Sequence, residues 1–86
     1  MKKVVRKAIF EAWDGHCAYC GAPNATTLDH VLPRHKGGLS LLNNLVPACH
    51  KCNQQKGATL VDVWYQNYSF FSARRWAKIK AWITTE

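Results

Sequence analysis

Residues 17–57 read CAYCGAPNATTLDHVLPRHKGGLSLLNNLVPACHKCNQQKG, and the four cysteines in this stretch decide how the chain must fold. They come as two pairs, Cys17-x2-Cys20 and Cys49-x2-Cys52, separated by 28 residues. In a reducing cytosol such pairs stay thiols rather than disulfides. Two knuckles of this kind read as one tetrahedral zinc site, although the separation exceeds the usual ~15–20 residues. The competing reading is a redox pair. It needs a single CxxC beside a βαβ pattern, and two matched pairs in a short basic chain fit that poorly.

Outward from the cysteines, the pattern predicts alternating short elements. Residues 3–13 form an amphipathic helix with Val5, Ala8, Ile9 and Ala12 on one face, ended by Asp14-Gly15. Thr26–Leu32 is β-prone and is stopped by Pro33, and Lys36-Gly37-Gly38 makes a flexible loop. Leu41–Val46 is a second short apolar run, interrupted by Asn43-Asn44. Cys49 to about Lys56 suits a helix, with Gly57 as its stop. The order is knuckle, strand, loop, strand, knuckle-plus-helix, a ββα unit with a metal at its seam. Beyond Gly57, Thr59–Phe71 is rich in aromatics, and Ser72–Ile83 reads as a helix capped by Ser72. Its stripe is Trp76, Ile79 and Ile83, with Ala73 and Trp82 beside it. The expectation is a small α+β domain over residues 1–86, with a core at 17–57 and flanking N- and C-terminal helices, the latter basic over about 72–83.

Composition bounds the function. A chain of 86 residues buries only about 60–65% of its unfolded surface, so a metal or partner staple is expected. The hydrophobic fraction of 48% places it outside the disordered class. No apolar run approaches the ~20 residues of a membrane span. The start MKKVVRKAIF has no apolar signal-peptide core, so a cytoplasmic location is expected. Twelve Lys and Arg against five Asp and Glu give a formal net charge of +7. Four thiolates around one zinc would still leave about +5. Such a balance points to a polyanionic partner, nucleic acid above all, against the plainer reading of a solvated basic surface.

Three polar clusters interrupt apolar surroundings: Asp29-His30, Asn43-Asn44 and Asn53. Each has an ordinary explanation taken alone. A histidine beside an aspartate is usually a satisfied surface residue, Asn53 can open a helix, and Asn43-Asn44 can be a turn. Together they mean more. A zinc ion shared by the knuckles pins the start of the second helix, with Asn53, near the strand that carries Asp29-His30. A carboxylate, an imidazole and an amide then converge beside a basic surface. Phosphodiester hydrolysis needs such parts: oxygen ligands for a hard cation, a base for water, and positive charge for the transition state.

The segment CAYCG…LDHVLPRHKGG…LLNNLVPACHKCNQQKG resembles the HNH (ββα-metal) endonuclease motif. CxxCG, DHxxP, GG, Asn-Leu, CxxCN and KG occur in order. Where many members carry a third histidine this chain has Asn53, the HNN variant. The resemblance implies a metal-dependent DNA endonuclease. It implies that Asp29 and Asn53 hold one Mg²⁺ or Mn²⁺ through oxygen, that His30 is the general base, and that Asn44 braces the hairpin loop. It also implies 5′-phosphate and 3′-hydroxyl products and a bacterial or phage origin, in packaging, restriction or a mobile element. Zinc at Cys17, Cys20, Cys49 and Cys52 is structural, because four sulfurs leave no open position.

Double-stranded DNA is the expected partner of a monomer or homodimer. Arg34, His35 and Lys36 in the loop and Lys56 on the second helix are placed near the scissile phosphate. Arg74, Arg75 and Lys78 form a second basic face, with Lys80 beside them. For each group the alternative is solvated surface charge. A non-catalytic zinc module for DNA or RNA would keep the cysteines and the charge, yet would not need Asp29, His30 and Asn53 together. A protein-docking domain would instead expose the aromatic segment 64–71.

Overall fold

The computed structural model describes residues 3–84. In chain order it has helix α1 (Lys3–Ala12), strand β1 (Thr27–His30), 3-10 turns at Arg34–Lys36 and Leu42–Asn44, strand β2 (Leu45–Ala48), and helices α2 (His50–Lys56), α3 (Val61–Gln66) and α4 (Ala73–Ile83). The strands pair antiparallel, Thr27 opposite Ala48 and His30 opposite Leu45, and α2 packs back on β1. This is the ββα unit expected from the cysteine spacing. Among the described residues no helix is long and apolar enough to cross a membrane.

Local chemistry explains where the elements depart from the expectation. The second strand begins at Leu45 rather than Leu41, because Asn43 and Asn44 curl into a 3-10 turn whose Asn44 amide bonds back to the Leu41 carbonyl at 2.9 Å. Pro47 lies within β2, opposite Leu28. A proline is tolerated there because each strand of a two-stranded sheet has a free edge that needs no ladder donor. That edge is then closed by other parts of the chain. The Ala18 amide donates to the Pro47 carbonyl at 2.9 Å, and the Trp82 indole N–H donates to the Leu45 carbonyl at 2.8 Å.

The α1 face is rotated from its expected position. Val5 and Ile9 do turn inward, but Ala8 and Ala12 are exposed, and Phe10 and Trp13 complete the packed face. Large aromatic area outweighs two methyl groups in deciding which side is buried. The aromatic segment, unassigned from sequence, forms α3. Trp64, Tyr65 and Tyr68 lie ring against ring, and Tyr65 is fully buried. Helix α4 starts as expected: the Ser72 hydroxyl accepts the Arg75 amide at 3.2 Å. Ile79 is its buried anchor, with Trp76, Trp82 and Ile83 packed around it.

The loop between β1 and β2 is tighter than its glycines suggest. Gly37 has φ 94° with open space around its α-carbon, so only backbone conformation demands glycine there. Gly38 is packed: a Cβ would stand 1.7 Å from the Leu32 carbonyl oxygen. Gly37→Ala should therefore cost about 1 kcal/mol, whereas Gly38→Ala should cost about 2–3 kcal/mol because backbone must move. Urea unfolding of the two variants checks this, and equal costs would contradict the packing argument.

Candidate active site

The two knuckles meet. The sulfurs of Cys17, Cys20, Cys49 and Cys52 all lie within 4.8 Å of one another, and no disulfide links them. The Cys20 and Cys49 Sγ atoms are 3.7 Å apart. A tetrahedron with metal–sulfur bonds of ~2.3 Å has edges of about 3.8 Å, so the donor set fits a tetrahedral soft ion. Backbone amides of Tyr19 and Cys20 point at Cys17 Sγ at 3.4 and 3.5 Å, and that of Ala22 at Cys20 Sγ at 3.4 Å. The Cys52 amide points at Cys49 Sγ at 3.5 Å, which makes that sulfur the N-cap of α2. These donors favour thiolates, whereas burial alone pushes the Cys20 and Cys52 thiols up. The Tyr68 hydroxyl lies 3.1 Å from Cys52 Sγ.

With the knuckles joined, α2 lies along β1. Asn53 donates from Nδ2 to Thr27 Oγ1 at 3.2 Å and to the Leu28 carbonyl at 3.3 Å. Its amide oxygen takes no hydrogen bond among the described residues. Asp29 is one residue further along the strand and 6% exposed. Its Oδ2 accepts the Tyr19 hydroxyl at 2.6 Å and pairs with the Lys56 ammonium at 3.1 Å. Lys56 also donates to the His30 carbonyl at 3.0 Å, and it is fully buried. Burial raises the Asp29 carboxyl, while the Lys56 charge and the Tyr19 hydroxyl pull it back. The same burial, with the carboxylate alongside, raises Tyr19 well above its usual range, so the phenol is the donor. Asp29 Oδ1 and the Asn53 amide oxygen are two hard oxygen donors on one strand–helix face, a set suited to Mg²⁺ or Mn²⁺.

His30 follows Asp29, and neighbouring strand residues project to opposite sides. Its ring therefore leaves toward the loop, where Nε2 and the Ser40 hydroxyl are 2.9 Å apart. Burial and the nearby Arg34 charge lower its pKa, partly opposed by Asp29. The imidazole is thus neutral at physiological pH. Asn44 holds the ends of the loop together. Its Oδ1 accepts the Leu32 amide at 2.8 Å, and its Nδ2 donates to the Leu32 and Leu39 carbonyls at 3.1 and 2.9 Å. Its own carbonyl accepts the Val31 amide at 2.9 Å. Asp29 and Asn53 thus share one face, and His30 stands at the end of the strand, near enough to Asp29 for that charge to act on its ring.

The basic residues divide into two groups. Arg34, His35 and Lys36 are exposed on the 3-10 turn beside His30, and Arg74 is exposed on α4. Lys56, expected at a phosphate, is instead buried, its ammonium engaged by Asp29 and a carbonyl. Arg75 is also turned inward. Its Nε donates to the Tyr19 carbonyl at 3.0 Å and its Nη2 to the Phe70 carbonyl at 2.9 Å. Lys78 donates to the Ala12 carbonyl at 3.0 Å and sits 4.4 Å over the Trp13 ring. In each case a carbonyl or carboxylate supplied by a distant segment draws in the cation. The sequence reading missed Tyr19, Ser40 and Thr27 as members of the site. Nothing in their local pattern marks them, because all three are brought in by tertiary packing.

Comparison with known proteins bears on the family and the fold. The HNH endonuclease family matches residues 17–59. A CRISPR-associated endonuclease Cas9 from Corynebacterium diphtheriae is 44% identical over 57 residues, covering 62% of this chain and 5% of the relative. Another, from Actinomyces naeslundii, is 34% identical over 67 residues, covering 73% of this chain and 6% of the relative. This chain therefore spans about one-twentieth of the length of these curated relatives. The crystal structure of the type II-C Cas9 enzyme from Actinomyces naeslundii superposes with a TM-score of 0.70 at 24% identity, over 93% of this chain and 10% of that one, which shows a shared fold.

The buried Lys56–Asp29 pair yields a stability prediction. Lys56→Met leaves an uncompensated buried carboxylate and should cost about 3–5 kcal/mol in urea unfolding. Adding Asp29→Asn in the same chain should recover most of that loss, and no recovery would mean that the pair is not what holds α2 to β1.

From the two cysteine knuckles, the strand pair and the helix that follows, with the family matched over residues 17–59, the chain belongs to the HNH endonucleases.

Proposed function

We propose that this chain hydrolyses DNA phosphodiesters with His30 as general base and Asp29 and Asn53 as ligands of one Mg²⁺ or Mn²⁺. The observation that carries the reading is the pairing of two hard oxygen donors on one strand–helix face with a neutral, pKa-lowered imidazole at the end of the same strand. The similarity to CRISPR-associated endonucleases supports nucleic acid as the substrate class. Bacterial relatives and four unpaired thiols support action in a bacterial cytoplasm.

The chain's own groups would act as follows. Neutral His30 accepts a proton from water at a ring nitrogen while the water oxygen bonds to phosphorus. The bond from phosphorus to the 3′ oxygen breaks, leaving a 5′-phosphate on one strand end and a 3′-hydroxyl, protonated from solvent, on the other. A divalent ion at Asp29 and Asn53 supplies charge withdrawal from the phosphate oxygens. Arg34 and Lys36, exposed beside His30, attract the DNA backbone, and Arg74 extends the contact along α4. Asn44 keeps the loop closed so that Ser40 continues to orient the His30 ring. Zinc in the four-thiol site is structural, holding α2 against β1.

Supercoiled plasmid with Mg²⁺ or Mn²⁺ tests the reading. Nicked or linear product supports it, and shifted but intact plasmid would indicate a binding module instead. His30→Ala should lower the rate by about 10²–10⁴-fold with zinc content and DNA affinity retained. The base is active when unprotonated, and its pKa is lowered, so the wild-type rate should climb below the ordinary histidine value of ~6.5 and be flat above about pH 7. A rate that keeps rising through pH 8 would contradict the assignment.

The metals should be separable. One zinc per chain is expected, and its removal should unfold the protein by circular dichroism, because binding energy here is folding energy. Low EDTA should stop cleavage without unfolding, and Mg²⁺ should restore it. A folded zinc-free protein would remove zinc from its structural role.

A further inference from the structure

Tyr19 lies between two sulfur ligands, Cys17 and Cys20, and is completely buried. Every polar atom of the residue is engaged. Its amide points at Cys17 Sγ at 3.4 Å. Its carbonyl accepts the Tyr65 hydroxyl at 2.7 Å and Arg75 Nε at 3.0 Å. Its ring meets Trp64 edge-on at 5.0 Å and tilts against Tyr65 at 5.7 Å. The one group that leaves this cage is the hydroxyl, which donates to Asp29 Oδ2 at 2.6 Å.

We propose that Tyr19 is a positioning residue that couples the thiol-bound ion to the divalent-ion site by fixing the carboxylate of Asp29. This rests on the reading of Asp29 as a metal ligand. Asp29 has two oxygens with different partners. Oδ2 is held from one side by the Tyr19 hydroxyl and from another by the Lys56 ammonium. Two donors on one oxygen set the plane of the carboxylate and leave Oδ1 as the oxygen available to a cation. Lys56 neutralises that oxygen but divides its ammonium between Asp29 and the His30 carbonyl. The phenol O–H is directional, and its ring cannot turn inside the aromatic cage. Partners that orient a ligand in this way typically contribute about 10–100-fold in metal affinity. The Tyr19 backbone is in turn set by the sulfur turn it belongs to, its amide pointing at Cys17 Sγ, which links the thiol cluster to Asp29 in the folded protein.

The test uses zinc-loaded Tyr19→Phe, which keeps the ring and deletes the hydroxyl, alongside Asp29→Ala. Mn²⁺ binding without DNA is read from loss of the free-ion electron paramagnetic resonance signal, and cleavage is measured against Mn²⁺ concentration. With one zinc retained, Tyr19→Phe should raise the half-saturating Mn²⁺ concentration about tenfold in both measurements. Excess Mn²⁺ should restore the cleavage rate. Binding and cleavage curves that overlie wild type would overturn the positioning role, while an Asp29→Ala protein that retains its one zinc and loses Mn²⁺ binding would show that the site itself stands. Wild-type Mn²⁺ binding by Asp29→Ala would overturn the site and this inference together. If Tyr19→Phe fails to retain zinc, the wild-type protein supplies the answer by proton NMR. The Tyr19 hydroxyl resonance, shifted downfield by a 2.6 Å bond to a carboxylate, should move on Mg²⁺ titration with the half-saturation seen in cleavage, and an unmoved resonance would overturn the proposal.

Discussion

Four sulfur atoms from two segments 28 residues apart share one small volume, and this constraint organises everything else. The elements it joins are too short to persist alone. Strands of four residues and a helix of seven fall below the length at which either is stable in water. Once the knuckles are drawn together, β1 and β2 are brought into register and α2 is laid over them. The apolar core of Ile9, Trp13, Val31, Leu45, Val46, Tyr65 and Ile79 then closes around the seam. Helix α4 completes it from the far side, placing an indole donor on a strand edge that would otherwise be open.

Around this seam the charges serve structure before they serve any ligand. A chain of net charge +7 presents fewer free cations than that figure suggests. Lys56 neutralises a buried carboxylate, Arg75 ties the first knuckle to the segment before α4, and Lys78 joins α4 to the end of α1. Each cation answers a carbonyl or carboxylate that the short elements leave unsatisfied. What remains at the surface near His30 is concentrated on one turn, Arg34–Lys36. Other exposed cations lie on α1, α2 and α4, so this turn is one part of a basic surface that extends over several elements.

Much of this was legible from the residues. The paired cysteines, the β-prone run ending at Pro33, the Gly57 stop and the Ser72 cap each carry a local physical signal, and the ββα order follows from them. The Asp29, His30 and Asn53 candidates were legible because polar groups stood out among apolar neighbours. Three things were not legible. Helix α3 has no clean apolar period, since its aromatics pack on several sides. The turn of α1 was misjudged because alanines fit a helical stripe as well as Phe10 and Trp13 do. The inward turns of Lys56 and Arg75 depend on carbonyls supplied by distant segments, and sequence shows a charge without showing which acceptor waits for it.

The Cys49 sulfur has a further consequence for which residues position 49 can accept. It is one of the four clustered thiols and also the acceptor that opens α2, the helix carrying Asn53 and Lys56. A thiolate has enough lone pairs for both duties. A serine would keep the helix start and lose the soft ligand, while a histidine would give its one ring lone pair to the ion and leave the Cys52 amide without an acceptor. Of these three side chains only the cysteine meets both demands with a soft ligand, so either exchange at position 49 would give up the helix start or the sulfur.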